Sequence, residues 1–372
     1  MSARRPWAKP LVPVYAAVLA AKDALRRMGV PPTRKLSWPV VSVGSLSAGG
    51  AGKTPVVIAL ATILRDAGWK VDVLSRGYGR EGRGVERVVA SPGKQVPRYA
   101  RNDNQNSKSN DKSNGTSKGD RTSDGGGKDF SAAKFGDEPV LIARRTDVPV
   151  WVGADRFLAG EQAEKDAAEG TRGLHLLDDG FQHRQLARAF DVVLVTAEDL
   201  NDKLLPEGNL RESFAALQRA DAVVVRAEEM EGISKQVWPL VREGAQIWTV
   251  QRKLRFPAPL FVFGAGLRPV AFCAIARPEG FASMLTEAGC GIVETVAFRD
   301  HHAYTMADID RVIEVAKGMK ATGFVSTEKD AVKLTAAMRE RLEAFGLLMI
   351  VALEAEFVDG QAVLRAIEAH LS

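Results

Sequence analysis

The residues best suited to chemistry lie in a glycine-rich segment between a β-branched run and a helix-forming run, VVSVGSLSAGGAGKTPVVIALATIL (40–64). Its Gly-Lys-Thr sequence matches the end of the phosphate-binding P-loop consensus, although Ser47 occupies the position of the first consensus glycine. In a P-loop, backbone N–H groups at a helix N-terminus bind phosphate, the lysine reaches the β- and γ-phosphates, and the threonine hydroxyl binds Mg²⁺. The predicted nucleotide-binding residues are Gly49, Gly50, Ala51, Gly52, Lys53 and Thr54.

A second acidic element follows the apolar run in GLHLLDDGFQHRQL (173–186). The run ends in Asp178 and Asp179, and Gly180 follows them, as in a Walker B element. Taken alone, such aspartates fit a strand followed by a helix cap equally well. Because a P-loop needs a carboxylate near its metal ion, the pairing with the P-loop favours a metal site.

The N-terminal 35 residues contain an amphipathic helical pattern that ends at Pro31-Pro32. Its apolar stripe consists of Leu11, Val14, Val18, Ala21, Leu25 and Met28, and Tyr15 and Leu19 widen it. Two interpretations stay open from these residues: a helix packed on its own domain, or a helix lying in the headgroup region of an anionic membrane. A secretory signal peptide is disfavoured because it would export the following domain away from its ATP. No apolar run approaches the ~20 residues that span a bilayer.

Composition places the chain among soluble globular proteins, with 372 residues, 45% hydrophobic and 26% charged. The 51 basic and 46 acidic residues give a net charge of +5, which favours anionic partners in general. Basic and aromatic residues are not interleaved, so no nucleic-acid partner is expected. Cys273 and Cys290 have no metal-ligand spacing, and we expect them to be reduced and buried.

The order of the elements predicts an α/β fold of two Rossmann-like domains with mostly parallel sheets. The first is a P-loop domain over 36–255, the second spans 256–372, and the amphipathic helix over 1–35 precedes both. A Pro-containing segment, 251–269, separates the two sets of strands, and the domains are expected to join near 255. The segment 101–130 is almost purely Asn, Ser, Lys, Asp and Gly, which predicts a disordered insertion. Strands are predicted near 39–44, 70–75, 148–153, 173–177, 191–196, 221–226, 270–275, 292–298, 322–327 and 347–352.

Eight blocks along nearly the whole chain resemble, in order, those of the bacterial tetraacyldisaccharide 4′-kinases of lipid A synthesis. The blocks are GSLSAGGAGKTP (44–55), SRGYGR (75–80), GDEPVLIARR (136–145), PVWVGADR (149–156), LLDDGFQHRQLARAFDVVLV (176–195), LLPEGNLRES (204–213), FRDHHAYT (298–305) and STEKDAVKL (326–334). Within that family the P-loop also lacks its first glycine, so Ser47 is no departure from it. The insertion at 101–130 does depart from the family pattern.

The resemblance implies a site assembled from both domains. Its catalytic residues would be Lys53, Asp179, Asp137 as the base or its orienting partner, and His301 as the histidine that pairs with Asp137. Because two histidines are adjacent, His302 stays an alternative to His301. The metal-binding residues would be Thr54, Asp178, Gln182 and Glu212. We expect Asp137 and His301 to meet in the cleft between the domains, where closure would exclude water.

The implied activity is ATP- and Mg²⁺-dependent transfer of a phosphate to the 4′-hydroxyl of a tetraacylated glucosamine disaccharide 1-phosphate. The resemblance also favours the membrane-docking helix, and with it a monomer on the cytosolic face of the inner membrane of a Gram-negative bacterium. Three arginines are candidates for the acceptor's 1-phosphate: Arg76, Arg80 and Arg211. The alternative function is a membrane-associated P-loop switch ATPase. Ala48 disfavours it, because the partition-type ATPases carry a signature lysine there.

Overall fold

The computed structural model describes residues 5–88, 132–260 and 266–371. The predicted disordered insertion over 101–130 lies outside the described residues. Ten of the strands described below correspond to the ten predicted from sequence, because those runs are apolar and β-branched, as buried parallel strands require.

The strands form the following series: β1 (Val40–Ser45), β2 (Lys70–Ser75), β3 (Glu86–Val88), β4 (Val150–Val152), β5 (Gly173–Asp178), β6 (Phe190–Leu194), β7 (Ala222–Arg226), β8 (Gln246–Arg255), β9 (Pro269–Cys273), β10 (Glu294–Ala297), β11 (Gly323–Thr327) and β12 (Leu347–Phe357).

The α-helices cover both faces of these strands: α1 (Val12–Arg27), α2 (Lys53–Asp66), α3 (Ala132–Phe135), α4 (Asp137–Thr146), α5 (Arg156–Asp166), α6 (Ala197–Leu200), α7 (Met230–Val237), α8 (Pro278–Glu287), α9 (Met306–Gly318), α10 (Glu328–Ala331), α11 (Ala336–Glu343) and α12 (Gly360–Leu371). A 3₁₀ helix over Pro6–Leu11 precedes α1.

All twelve strands belong to one sheet, in the order β10-β9-β11-β12-β8-β7-β6-β1-β5-β2-β4-β3. Neighbours are parallel except at two places, β3 with β4 and β8 with β12. The predicted α/β fold with mostly parallel strands is confirmed. Because β1 lies between β5 and β6, the P-loop that follows β1 sits beside the acidic end of β5.

The two sets of parallel strands are joined by the antiparallel pair of β8 and β12. The first half of β8 pairs with β7, and its second half pairs with the end of β12, from Val250 opposite Phe357 to Arg255 opposite Ala352. Residues 251–255, the start of the segment that was predicted to separate the two sets of strands, are therefore strand themselves. Their backbone groups are hydrogen-bonded to β12, a pairing between segments about a hundred residues apart that the local sequence does not indicate.

The last helix packs against the first set of strands. Val363 and Ile367 of α12 join the core that contains Leu60 of α2, and Trp69 Nε1 donates a hydrogen bond to Glu368 Oε1 at 3.1 Å. A separate core lies under α9 and α11 around Phe272. The chain thus returns to its first half after completing the second, and the domain division at 255/256 stays a prediction.

Candidate active site

The P-loop connects β1 to α2 through three left-handed glycines. Gly49, Gly50 and Gly52 have φ values of 75°, 67° and 88°, a backbone conformation that residues other than glycine rarely adopt. Gly52 is the N-cap of α2, so the first N–H groups of that helix face the loop and suit an anion. Ser47, at the entry to the loop, forms a β-bridge with Leu210 and does not share the positive φ of these glycines, so its position needs no glycine.

Lys53 lies among polar groups at the end of β1. Its Nζ donates a hydrogen bond to Ser45 Oγ at 3.1 Å and lies 3.4 Å from Asp179 Oδ1. Only 12% of the side chain is exposed. The predicted phosphate-binding lysine and an acidic residue of the Walker B element are therefore in direct contact.

The two adjacent aspartates occupy different environments. Asp178 is buried at the end of β5 and accepts a hydrogen bond from Ser75 Oγ at 2.9 Å, and burial raises its pKa to about 7. Asp179 follows at φ 49° and accepts two hydrogen bonds from Arg211, at 2.8 Å and 2.7 Å. Burial by itself would raise the pKa of Asp179, but Lys53 and Arg211 outweigh it and hold that pKa well below its usual range. The pKa values of the two adjacent carboxyl groups are thus shifted in opposite directions.

Asp137 and His301 come together from the two halves of the sheet. Asp137 begins α4 and is 6% exposed, and His301 Nδ1 donates to its carboxylate at 3.0 Å and 3.1 Å. This hydrogen bond raises the pKa of His301 against the opposing effect of burial. Burial raises the pKa of Asp137, but His301 and Lys329 outweigh it, so that pKa is lowered overall.

His302 has a different set of contacts. Its Nε2 lies 2.9 Å from Asp308 Oδ2, near the N-terminus of α9, and its ring stacks on Phe298 at a centroid distance of 5.1 Å. Of the two adjacent histidines, the one paired with Asp137 is therefore His301.

Sequence reasoning missed Lys329, which lies in the first turn of α10. Its Nζ is 3.2 Å from Glu138 Oε1, 3.5 Å from Asp300 Oδ1 and 3.9 Å from Asp137 Oδ2. Burial lowers the pKa of Lys329, but these three carboxylates outweigh it and raise that pKa above its ordinary value. The STEKD motif suggested only a helix cap, a role that Thr327 does fill by accepting a hydrogen bond from Asp330 N at 3.1 Å.

The P-loop faces the second half of the molecule. A Cβ built on Gly49 would lie 3.6 Å from Ala276 Cβ, and one built on Gly50 would lie 2.8 Å from Arg277 Nε. Arg277 also forms an ion pair with Glu198 at 2.9 Å. A guanidinium from the second half therefore lies next to the loop that would hold a phosphate.

The predicted metal-binding residues fit an oxygen-coordinated ion only in part. Thr54 is in the first turn of α2, and Gln182 donates to Ser45 O at 3.0 Å while its Oε1 is buried without a hydrogen-bond partner. Glu212 instead pairs with Arg219 at 2.9 Å, although its Oε1 is likewise unpartnered. Within 5–88, 132–260 and 266–371, no group of three His, Cys, Asp or Glu residues could hold a metal. A Mg²⁺ ion here would depend on phosphate oxygens, as is usual for nucleotide-bound magnesium.

Two of the three arginines predicted for the acceptor phosphate already have partners. Arg80 donates to Val152 O at 3.2 Å and to Gly84 O, and Arg211 binds Asp179. Arg76 is exposed. Among the described residues Arg76 has no such contact, so of these three arginines it keeps the accessible guanidinium.

Comparisons with known proteins give one consistent result. The family model for tetraacyldisaccharide-1-P 4′-kinase (LpxK) matches residues 5–98 and 114–372. A tetraacyldisaccharide 4′-kinase of Koribacter versatilis is 37% identical over 332 residues, 87% of this chain and 88% of the relative. One from Anaeromyxobacter dehalogenans is 34% identical over 368 residues, 95% of this chain and 86% of the relative.

A solved structure shares the whole architecture. The "apo" form of LpxK from Aquifex aeolicus in complex with ATP superimposes with a TM-score of 0.70 at 25% identity and covers 98% of each chain. The resemblance inferred from the eight sequence blocks is thereby confirmed.

Proposed function

This chain belongs to the tetraacyldisaccharide 4′-kinase (LpxK) family, and we propose that its site transfers the γ-phosphate of ATP to the 4′-hydroxyl of a tetraacyldisaccharide 1-phosphate. The observation that carries the proposal is the contact between Asp137 and His301, made across the two halves beside a P-loop. A pure nucleotide switch has no need for a buried carboxylate paired with a histidine. A kinase needs such a pair to take the proton from its acceptor hydroxyl.

The P-loop would bind the nucleotide and stabilise the negative charge on its phosphate oxygens. Phosphoryl transfer has a loose transition state with charge spread over the phosphate oxygens, so alignment and positive charge supply most of the catalysis. Lys53 and the N–H groups at the start of α2 provide both. Mg²⁺, held by Thr54 and Asp178 or Asp179 together with the phosphates, would neutralise further charge.

Asp137 would accept the acceptor's proton at a carboxylate oxygen. As the 4′-oxygen bonds to the γ-phosphorus, the bond to the bridging oxygen of ADP breaks, and the hydroxyl proton moves to Asp137. His301 orients the carboxylate through its Nδ1–H, and together with Lys329 it keeps Asp137 ionised despite burial. General-base assistance of this kind is typically worth about 10²–10⁴-fold in rate.

The second half of the molecule would close over the nucleotide. It brings His301, Lys329 and Arg277 to groups of the first half: Asp137, Glu138 and the P-loop. Closure of this kind would exclude water that would otherwise hydrolyse ATP. The antiparallel pair of β8 and β12 connects the two halves and is the natural hinge.

The enzyme would work as a monomer docked on the cytosolic face of the inner membrane through α1. All six residues of the apolar stripe are exposed, from Leu11 to Met28. Another side of α1 is fixed to the protein. Tyr15, which was predicted to widen the stripe, instead donates to Arg211 O at 3.0 Å, and Asp23 pairs with Arg184. None of the helices in the described ranges is both long and apolar enough to cross a membrane. An exposed apolar stripe on a helix anchored by its polar side supports interfacial docking.

The acceptor's 1-phosphate would be bound by Arg76, since Arg80 and Arg211 are engaged elsewhere. The whole proposal is tested by incubating the protein with γ-labelled ATP and tetraacyldisaccharide 1-phosphate in detergent micelles. Labelled lipid supports the kinase. Release of labelled inorganic phosphate without labelled lipid would support the switch ATPase instead.

A further inference from the structure

An arginine-lined cavity of about 260 Å³ lies between the C-terminal end of α1 and the segment that joins β5 to β6. Arg26 lines it from α1, and Arg184 and Arg188 line it from the joining segment, while Pro31 and Leu186 form apolar parts of its wall. No role of the cavity follows from the phosphate transfer proposed above.

The positive charge in the cavity is only partly neutralised. Arg184 pairs with Asp23 at 2.5 Å and Arg188 pairs with Asp191 at 3.0 Å. Arg26 donates to a backbone carbonyl, Gln182 O, at 3.5 Å. Three guanidinium groups thus face two carboxylates. Burial lowers the pKa of Arg26, and the charges of Arg184 and Arg188 act in the same direction against the opposing charges of Asp23 and Glu212.

An exposed apolar rim adjoins the cavity. Leu25 and Met28, which flank Arg26 along α1, are 48% and 75% exposed, and Val30 before Pro31 is 51% exposed. An apolar surface beside a cationic cavity matches the two zones of a phospholipid, whose acyl chains lie next to a phosphate. A free phosphate ion has no apolar part that could contact the rim.

We propose that this cavity binds the phosphate group of an anionic glycerophospholipid while α1 lies on the membrane. Guanidinium groups bind phosphate oxygens through paired hydrogen bonds, and three of them here converge on one space. The cavity is not lined by Lys53, Asp137 or His301, and it would orient the enzyme on an anionic leaflet. The inference rests on the membrane docking that forms part of the proposed function.

The test compares two variants that lose the same charge. The full chain is sedimented with phosphatidylcholine vesicles that either contain or lack phosphatidylglycerol, in the absence of acceptor. Arg26→Gln/Arg184→Gln alters the cavity, whereas Lys22→Gln/Arg27→Gln alters exposed positions of α1 outside it. We expect the cavity variant to lose the preference for phosphatidylglycerol vesicles about tenfold more than the control. Equal losses would mean diffuse surface attraction and would overturn the proposal.

Three further readouts separate the explanations. Arg26 forms no ion pair within the described residues, so Arg26→Gln leaves no carboxylate unpaired there. This single variant should also lose the preference for phosphatidylglycerol vesicles while its thermal midpoint stays unchanged. Thermal stabilisation by inorganic phosphate, present in the wild type and absent in the cavity variant, would identify a free-anion site and overturn the lipid assignment. A raised KM for the acceptor in micelles with unchanged vesicle binding would assign the cavity to the substrate instead. If the wild type binds both vesicle types equally, this site fails while membrane docking survives; if it binds neither, both fail.

Discussion

His301 Nδ1 lies 3.0 Å from Asp137 Oδ2, although 164 positions separate the two residues in the chain. One residue begins a helix of the first half, and the other follows a strand of the second half, so their contact depends on the relative position of the halves. A change at this pair should therefore affect both the catalytic step and the closure of the two halves.

Replacing His301 should slow transfer and move its pH dependence. In His301→Gln, only Lys329 and weaker charges would offset the effect of burial on Asp137, so the pKa of Asp137 would rise. We expect kcat to fall about 10²-fold near neutral pH, and the acid limb of the profile to move to higher pH, because Asp137 is active as its anion. The measurement is kcat in micelles from about pH 5 to pH 9. His302→Gln is the control, and equal losses in both variants, or an unmoved limb, would contradict the assignment.

Lys329 should speed transfer although it contacts no predicted nucleotide-binding residue. Lys329→Met leaves Asp137, Glu138 and Asp300 without their shared cation, so the two halves should separate more readily. We expect at least an about tenfold loss of kcat with nearly unchanged ATP affinity, and partial recovery in Lys329→Arg. Lys317→Met is the matched control, since Lys317 pairs with Glu314 on an exposed surface. Wild-type turnover in Lys329→Met would refute this role.

Asp72 should destabilise the protein near neutral pH. Burial raises its pKa from 3.8 to about 6, against the weaker opposing effects of Lys70 and Arg87. A carboxyl whose pKa is higher in the folded state costs stability as pH rises through that interval, and the cost is absent below the unfolded pKa. Asp72→Asn should therefore add about 2–3 kcal/mol at pH 7 and little at pH 4.

The measurement for Asp72 is urea unfolding at both pH values. Asp310→Asn, at an exposed ion pair with Arg341, should change stability by no more than about 0.5 kcal/mol. A gain of the same size at both pH values would show that the carboxyl's ionisation is not the cause.

The stripe on α1 should control membrane attachment without affecting folding. Val18 is 46% exposed, so Val18→Asp places a charge in the proposed lipid contact without disturbing a core. We expect about tenfold weaker binding to anionic vesicles and an unchanged thermal midpoint. Ala20→Asp is exposed on the same helix but off the stripe, and it should bind more tightly than Val18→Asp. Equal binding by the two variants would argue against docking through the stripe.

Local patterns were enough to predict the P-loop, the acidic strand end and the stripe on α1. Each depends on residues near one another in the chain, such as Gly52 with Lys53 or Asp178 at the end of an apolar run. The parallel strands were predictable for the same reason, since burial on both faces leaves a continuous apolar run.

Long-range pairings were not predictable from the residues alone. Residues 251–255 of β8 alternate exposed and partly buried positions, and their partner β12 follows about a hundred residues later. Lys329 resembles any lysine in a helix cap until the fold places Asp137 beside it. Likewise, Arg211 was a candidate for the acceptor phosphate, and only the structure shows that Asp179 holds its guanidinium.

The most direct test of the account is transfer from γ-labelled ATP to tetraacyldisaccharide 1-phosphate by wild type, Asp137→Asn and Lys53→Ala, with ATP binding measured in parallel. We predict labelled lipid from wild type, and little or none from Asp137→Asn although that variant binds ATP normally. Lys53→Ala should lose both phosphate transfer and ATP binding. Transfer by Asp137→Asn at the wild-type rate would contradict the role of the Asp137–His301 pair, and wild-type ATP hydrolysis without labelled lipid would contradict the kinase itself.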